Sequence, residues 1–309
     1  MTDRWRTVVA EPNELGESPF WHPAEQRLYW VDLEAKLILR TQPGSGLVER
    51  WAVPQEPGCI APAARGGLVV ALRDGVYRAH EWGGALTRIA TFDYDPATTR
   101  FNDGKCDPLG RFWAGTIFEP RSANEAKLYS VDGRGGRAPE VKLQAGDAIT
   151  ANGLAWSPRG DTVYWSDTPH HVIHAWDWAA DTNTLTRHRV FQQFAGKPAG
   201  WTPGLPDNGG YGGRPDGATV DAEGNYYAAM FEGRRVCKFA PDGRLLAEIE
   251  TPAQCPTMPC LGGPELRTLY LTTARHKRPA AELAALPGSG CVFAMDVDVP
   301  GLPVNFFQD

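Results

Sequence analysis

A short apolar segment, a turn and a strand centred on an aromatic or β-branched residue occur six times along this chain. The centres are Tyr29, Val69, Trp113, Tyr164, Tyr227 and Tyr270, separated by 40, 44, 51, 63 and 43 positions. A third strand follows each centre, and a fourth is expected at residues 48–53, 86–91, 140–143, 186–191 and 245–250. Four strands per repeat at this period predict an all-β fold, a six-bladed β-propeller with four-stranded blades. The sixth repeat lacks its own fourth strand. Residues 5–9 can supply it, so the ring is expected to be closed by the N-terminal strand, which removes an exposed sheet edge. A two-sheet sandwich accommodates fewer strands than the twenty or more counted along the chain. Residues 1–309 are thus expected to form a single propeller domain, with one helix at 279–286 inside a loop.

Composition agrees with many short strands joined by tight turns: 34 Gly, 26 Pro and 11 Trp in 309 residues. The net charge of −6 argues against nucleic acid as a partner, since such binders carry a basic stripe. No stretch reaches the roughly 18 apolar residues of a membrane helix, and the N-terminus lacks the apolar core of a signal peptide. A cytoplasmic protein, monomeric or weakly dimeric, without membrane or nucleic-acid partners is expected. The six cysteines form no CxxC pair and read as free buried thiols.

In four repeats an oxygen-bearing residue precedes the centre by a nearly constant interval. Glu17 and Asn152 lie 12 positions before their centres, Asn102 and Asp216 lie 11 before theirs. Equivalent positions in a closed ring point at one axis. Glu17, Asn152 and Asp216 offer two carboxylates and an amide carbonyl, without thiol or imidazole, a set suited to a hard divalent cation. Three protein ligands with open positions suit a catalytic rather than a structural metal. Ordinary polar caps at strand starts are the alternative reading of each residue taken singly.

The segments LGESPFW at 15–21, RFNDGKCDPLGRFWAGT at 100–116, NGLAWSP at 152–158, PDGATVDAEG at 215–224 and LGGPELRTLYLTTAR at 261–275 together resemble the SMP-30/gluconolactonase family of sugar lactonases and regucalcin-like proteins. The resemblance implies a propeller that binds one divalent cation (Ca, Zn, Mg, Mn or Fe) and hydrolyses a sugar lactone to the aldonic acid. It implies Glu17, Asn152 and Asp216 as metal ligands, with Arg100 and Asn102 contacting substrate. Asp103 is a further candidate for substrate contact. Glu119 resembles the family's lid acid, although its loop departs from the family pattern around Phe118 and Pro120. Ester hydrolysis needs a base, and Asp216 is expected to fill that role as well as ligating. Asp103 or Asp167 acting through water is the alternative. Hydrolysis of another ester, a phosphotriester or an aldarolactone, and a non-catalytic calcium-binding propeller, are the competing functions.

Other constellations carry less. His171 and His174 point to opposite faces of a strand, which argues against zinc. Cys59 and Cys260 read as channel packing near the inner-strand starts of the two repeats without acids. No serine nucleophile elbow occurs. The run Arg275-His276-Lys277-Arg278 reads as a solvated loop or an anion-attracting rim. The expected mouth loops carry nine Lys or Arg against six acids. This mildly basic rim leaves a neutral aldonolactone as the expected substrate.

Overall fold

The computed structural model describes residues 4–309, apart from the side chain of Pro206. Six four-stranded antiparallel sheets make up the fold. Blade I comprises β2 (Gly16–His22), β3 (Arg27–Asp32), β4 (Leu37–Thr41) and β5 (Glu49–Ala52). Blade II comprises β6 (Cys59–Pro62), β7 (Leu68–Leu72), β8 (Gly75–Ala79) and β9 (Thr87–Ala90). Blade III runs from β10 (Thr99–Cys106) through β11 (Phe112–Phe118) and β12 (Ala126–Asp132) to β13 (Glu140–Ala148). Blade IV runs from β14 (Ala151–Trp156) through β15 (Thr162–Asp167) and β16 (Val172–Ala179) to β17 (Thr184–Gln193). Blade V holds β18 (Arg214–Val220), β19 (Tyr226–Phe231), β20 (Arg235–Phe239) and β21 (Leu245–Glu250). Blade VI holds β22 (Pro256–Gly262), β23 (Thr268–Thr273) and β24 (Val292–Asp296), with β1 (Arg6–Val9) as its outer strand. The N-terminal strand therefore closes the ring, with Arg6 opposite Ala294 and Val9 opposite Val292.

The inner strands pack side by side around the axis, β2 against both β6 and β22, β14 against β10 and β18. Burial follows from this arrangement. Strands β2 and β22 are buried almost throughout, while β21 alternates exposed and half-buried positions. Apolar side chains fill the wedges between blades, as where Trp113, Trp156 and Trp178 meet edge to face. The hairpin turns are held by short polar residues. Asp107 accepts from the amides of Leu109 and Arg111 and from the indole of Trp113, and Asp221 accepts from the amides of Glu223 and Asn225 in the same way. The loop helix α1 (Ala280–Ala285) is present. Among the described residues no helix is long and apolar enough to cross a membrane. All six cysteines are free and buried.

Two glycines are dictated by the close approach of blades. A Cβ on Gly58 would stand 2.4 Å from the carbonyl oxygen of Phe101 and 2.9 Å from the amide of Asn102. Gly153, at φ +60°, would drive a Cβ to 2.4 Å from the hydroxyl of Tyr226. Gly58→Ala must therefore displace the backbone that carries Asn102. We expect a destabilisation of about 1–3 kcal/mol, the usual cost of overpacking, with a lower kcat; a calorimetric Tm equal to the parent's would contradict the contact.

Candidate active site

Strand pairing explains the constant interval. Tyr29 pairs with Phe20, Trp113 with Lys105, Tyr164 with Ala155 and Tyr227 with Thr219. Glu17, Asn102, Asn152 and Asp216 each lie three positions before that partner, so they share one register in the ring. The difference between 11 and 12 is only the length of the hairpin turn. In the two remaining blades Val69 pairs with Ala61 and Tyr270 with Cys260, which puts Gly58 and Thr257 in the equivalent places. Cys59 and Cys260 are therefore not the equivalents of the polar residues. Thr257 turns its hydroxyl to the carbonyl of Gly16 at 2.5 Å and serves as a strut between blades VI and I.

Each of the four polar residues sits at a β-bulge. Between Glu17 and Phe20 the inner strand uses three steps where β3 uses two, and the same shift recurs between Phe101 and Gly104, Asn152 and Ala155, and Pro215 and Ala218. A bulge re-aims side chains out of simple alternation. Its effect is clearest in blade III, where Asn102 lines the cavity and the adjacent Asp103 does not. Asp103 instead accepts from the amide of Leu154 at 3.0 Å, inside the interface with blade IV. It acts on the site at a distance, as one of the charges that raise the pKa of Glu17 and Asp216.

Glu17, Arg100, Asn102, Asn152, Asp216 and Glu119 all line one cavity of about 690 Å³ at the mouth of the channel. A relay of hydrogen bonds orients the amides. Arg100 Nη1 donates to Asn102 Oδ1 (3.0 Å), and Asn102 Nδ2 donates to Asn152 Oδ1 (2.9 Å). Asn152 Nδ2 donates to the Thr168 hydroxyl (2.7 Å), which donates to the carbonyl of Pro215 (2.7 Å). The chain ties blades III, IV and V together and leaves the Asn152 carbonyl oxygen on the cavity side of the relay. Glu119 bridges Arg73 Nη1 (2.8 Å) and Arg100 Nε (3.2 Å). Burial works against its charge, but the two guanidiniums hold its carboxyl below the usual range.

The two metal-candidate carboxylates are poorly satisfied by protein donors. Glu17 has one long contact, from the Ser18 amide at 3.4 Å. Burial, then the nearby Asp216 and Asp103, raise its pKa well above the usual value. Burial pushes Asp216 up to about 8, with Arg214 opposing and Asp103 adding to the shift. Two buried carboxylates and an amide oxygen facing one cavity fit a divalent cation, whose charge offsets both the burial and the mutual repulsion. Among the described residues no group of three or more His, Cys, Asp or Glu is placed to hold a metal, so an amide ligand is required to complete the set.

The structure also brings to the cavity residues that the sequence did not single out as substrate or metal contacts. Glu34 comes from the β3–β4 loop and Thr168 from the β15–β16 loop. Lys197 and Trp201 come from the long insert before β18, and Arg214 from the first position of that strand. Two alternatives recede. Asp167 is committed to the amides of Ile149 and Thr150, and His171 bonds the Tyr211 hydroxyl at 2.7 Å away from the lining. Arg278 departs from the solvated-loop reading of its basic run: its side chain is 5% exposed and pairs with Glu282 and Glu232.

Residues 15–275 match the family described as SMP-30/gluconolactonase/LRE-like region. A 6-deoxy-6-sulfogluconolactonase from Pseudomonas putida is 42% identical over 99% of both chains. Regucalcin from Danio rerio is 31% identical over 96% of this chain and 95% of its own. The crystal structure of a calcium-binding protein, regucalcin, from Agrobacterium tumefaciens superposes with a TM-score of 0.88 at 25% identity, covering 98% of this chain and 97% of that one.

Proposed function

This chain belongs to the SMP-30/gluconolactonase/LRE-like family, and from that premise we propose that it is a metal-dependent lactonase that opens a sugar lactone to its aldonic acid. The observation that carries this reading is the single register shared by Glu17, Asn102, Asn152 and Asp216 on one cavity. Glu17, Asn152 and Asp216 would hold one divalent cation; calcium, zinc, magnesium, manganese and iron all accept such oxygen donors. When bound, the cation supplies Lewis acidity at the ester carbonyl and acidifies water.

The remaining chemistry belongs to side chains of this chain. Asp216 takes the proton of the attacking water as the new C–O bond forms at the lactone carbonyl. Collapse of the addition intermediate breaks the ring C–O bond, and the same carboxyl returns the proton to the departing ring oxygen, so atoms and charge balance. A site that pushes Asp216 up to about 8 makes its carboxylate a stronger base than an ordinary aspartate. Arg100 Nη2 makes no hydrogen bond to the protein among the described residues and is available to a substrate oxygen. Asn102 has both amide hydrogens engaged, by Ala151 O and Asn152 Oδ1, so it offers its carbonyl oxygen to a sugar hydroxyl. Glu119 accepts a further hydroxyl at the rim. Asp103 supports the bulge and the field and does not touch substrate.

The test is turnover of a lactone panel by protein stripped of metal and then reloaded. The panel begins with gluconolactone and the sulfonated gluconolactone for which the Pseudomonas putida relative is named. Activity is expected only in reloaded protein. A paraoxon-type ester hydrolysed in preference to every lactone favours the esterase alternative. Silence toward all substrates, with Asn102→Ala leaving metal binding intact, favours a calcium-binding propeller.

A second expectation concerns pH. Because Asp216 is raised, the metal-free folded state holds a proton that the unfolded chain releases near pH 4. Metal-free stability therefore falls as pH rises from about 4 to about 8. A cation replaces that proton, so the rise in Tm on adding calcium or manganese should be larger at pH 8 than at pH 5.5. An equal rise at both pH values would place the cation away from Asp216.

A further inference from the structure

The count of charges along the rim loops hides how they sort in space. Most of the basic residues are neutralised locally: Arg234 pairs with Glu250, Arg235 with Glu248, and Arg278 with Glu282. On the wall formed by the insert, β18 and the β19–β20 loop, the balance is different. Lys197 (2.8 Å), Arg214 (3.4 Å) and Arg278 (3.0 Å) converge on the single carboxylate of Glu232. Arg121 reaches the same wall from the β11–β12 loop, and its side chain makes no hydrogen bond or ion pair among the described residues. Four cations thus share Glu232 and Glu282, leaving two positive charges uncompensated at one side of the cavity.

The donors on this wall are also under-used. Arg214 is 17% exposed, and its guanidinium makes no hydrogen bond, only the ion pair to Glu232 and a contact over the Phe231 ring at 5.2 Å. Its Nε is buried without a partner. Burial and the neighbouring Arg214 both weigh against the charge of Arg121. A compact oxyanion would relieve that repulsion and satisfy these forks, which match oxyanion geometry. Across the mouth the charge has the other sign, where Glu34 stands 3.6 Å from His276.

We infer that the Arg121–Lys197–Arg214 wall is a binding site for an anionic group on the lactone, carried at a carbon remote from the ring carbonyl. The inference rests on the lactonase reading and adds the polarity of the substrate. The reacting carbonyl goes to Glu17, Asn152 and Asp216, whose two negative charges a divalent cation offsets, and the charged end goes to the basic wall. A lactone carrying a sulfonate, a phosphate or a carboxylate fits this chemistry, and the neutral aldonolactone expected from the rim count leaves the wall unsatisfied.

The experiment compares kcat/KM for gluconolactone with the 6-sulfo, 6-phospho and glucaric lactones, and the winning arm names the anion. At least one anionic lactone should exceed the neutral one by tenfold or more, and the ratio should shrink as salt rises. Arg121→Gln, at an exposed position that folding does not need, should lower that ratio at least fivefold, and Lys197→Gln likewise. A neutral lactone that equals or beats all three anions overturns the inference while the lactonase reading stands. If every lactone is refused, the lactonase reading fails and calorimetry with the open-chain acids decides the wall. Sulfonated gluconate binding tenfold tighter than gluconate, with the difference lost in Arg121→Gln, sustains the inference; equal binding overturns it.

Discussion

Asp216→Asn is expected to lower kcat/KM for lactone hydrolysis by about a thousandfold, the middle of the range for loss of a general base, and to weaken metal binding at the same time. The same substitution should raise the Tm of the metal-free protein. Asp216 is buried and its pKa stands at about 8, so near neutral pH the fold bears the cost of keeping that carboxyl protonated. That cost is a few kcal/mol when a shift of one unit is worth about 1.4 kcal/mol, and a neutral amide does not incur it. Opposite signs for activity and metal-free stability separate a functional carboxylate from a structural one. Glu17→Gln should show the same opposition, since burial and Asp216 raise its carboxyl too. Asn152→Ala should differ: it breaks the relay to Thr168 and Asn102 and should lose both activity and stability. If Asp216→Asn turns over lactone at a near-normal rate with metal bound, the base is elsewhere.

Removal of residues 1–10 should open the ring. The deletion takes away β1, whose partner in blade VI is β24, along with the half-buried Trp5 and its indole bond to the carbonyl of Glu250 at 2.8 Å. Val9 is 6% exposed and packs with Trp21, Leu28 and Val292 between blades VI and I. Burial of two such side chains contributes about 3–6 kcal/mol, a large part of the roughly 5–15 kcal/mol typical of whole proteins. Strand β24 would also become an exposed edge able to pair with another chain. Soluble yield should fall, and thermal unfolding should broaden or drop by about 10 °C or more, the shift that a loss of this size produces. Unchanged melting of the truncated protein would show that the ring does not depend on this strand. Met1, Thr2 and Asp3 lie outside the described residues, so the effect belongs to residues 4–10.

Each blade is a chain of hairpins between near neighbours in sequence, and such local order is what periodicity reports. The six centres, the turns and the shared register of Glu17, Asn102, Asn152 and Asp216 are therefore legible in the order of residues. Hairpin length varies by only one residue between the four blades that carry these side chains, so the interval survives as a signal. The missing fourth strand of blade VI is legible for a related reason, because a closed ring must pair its last edge.

The sequence by itself determined the propeller and the four residues that face its axis, because strand alternation and turn chemistry act over a dozen residues. Only the tertiary structure separated Asn102 from Asp103, since the bulge that turns one into the cavity and the other into blade IV is set by packing across blades. It also decided that Gly58 and Thr257, not Cys59 and Cys260, complete the register. The fate of the rim charges was equally out of reach. Arg73 meets Glu119 across 46 positions, as Arg278 meets Glu232, and among the described residues Arg121 meets no carboxylate at all. Whether a charge is cancelled depends on which loops the closed ring brings within a few ångströms, and that distance is a property of the ring and not of the order of residues along the chain.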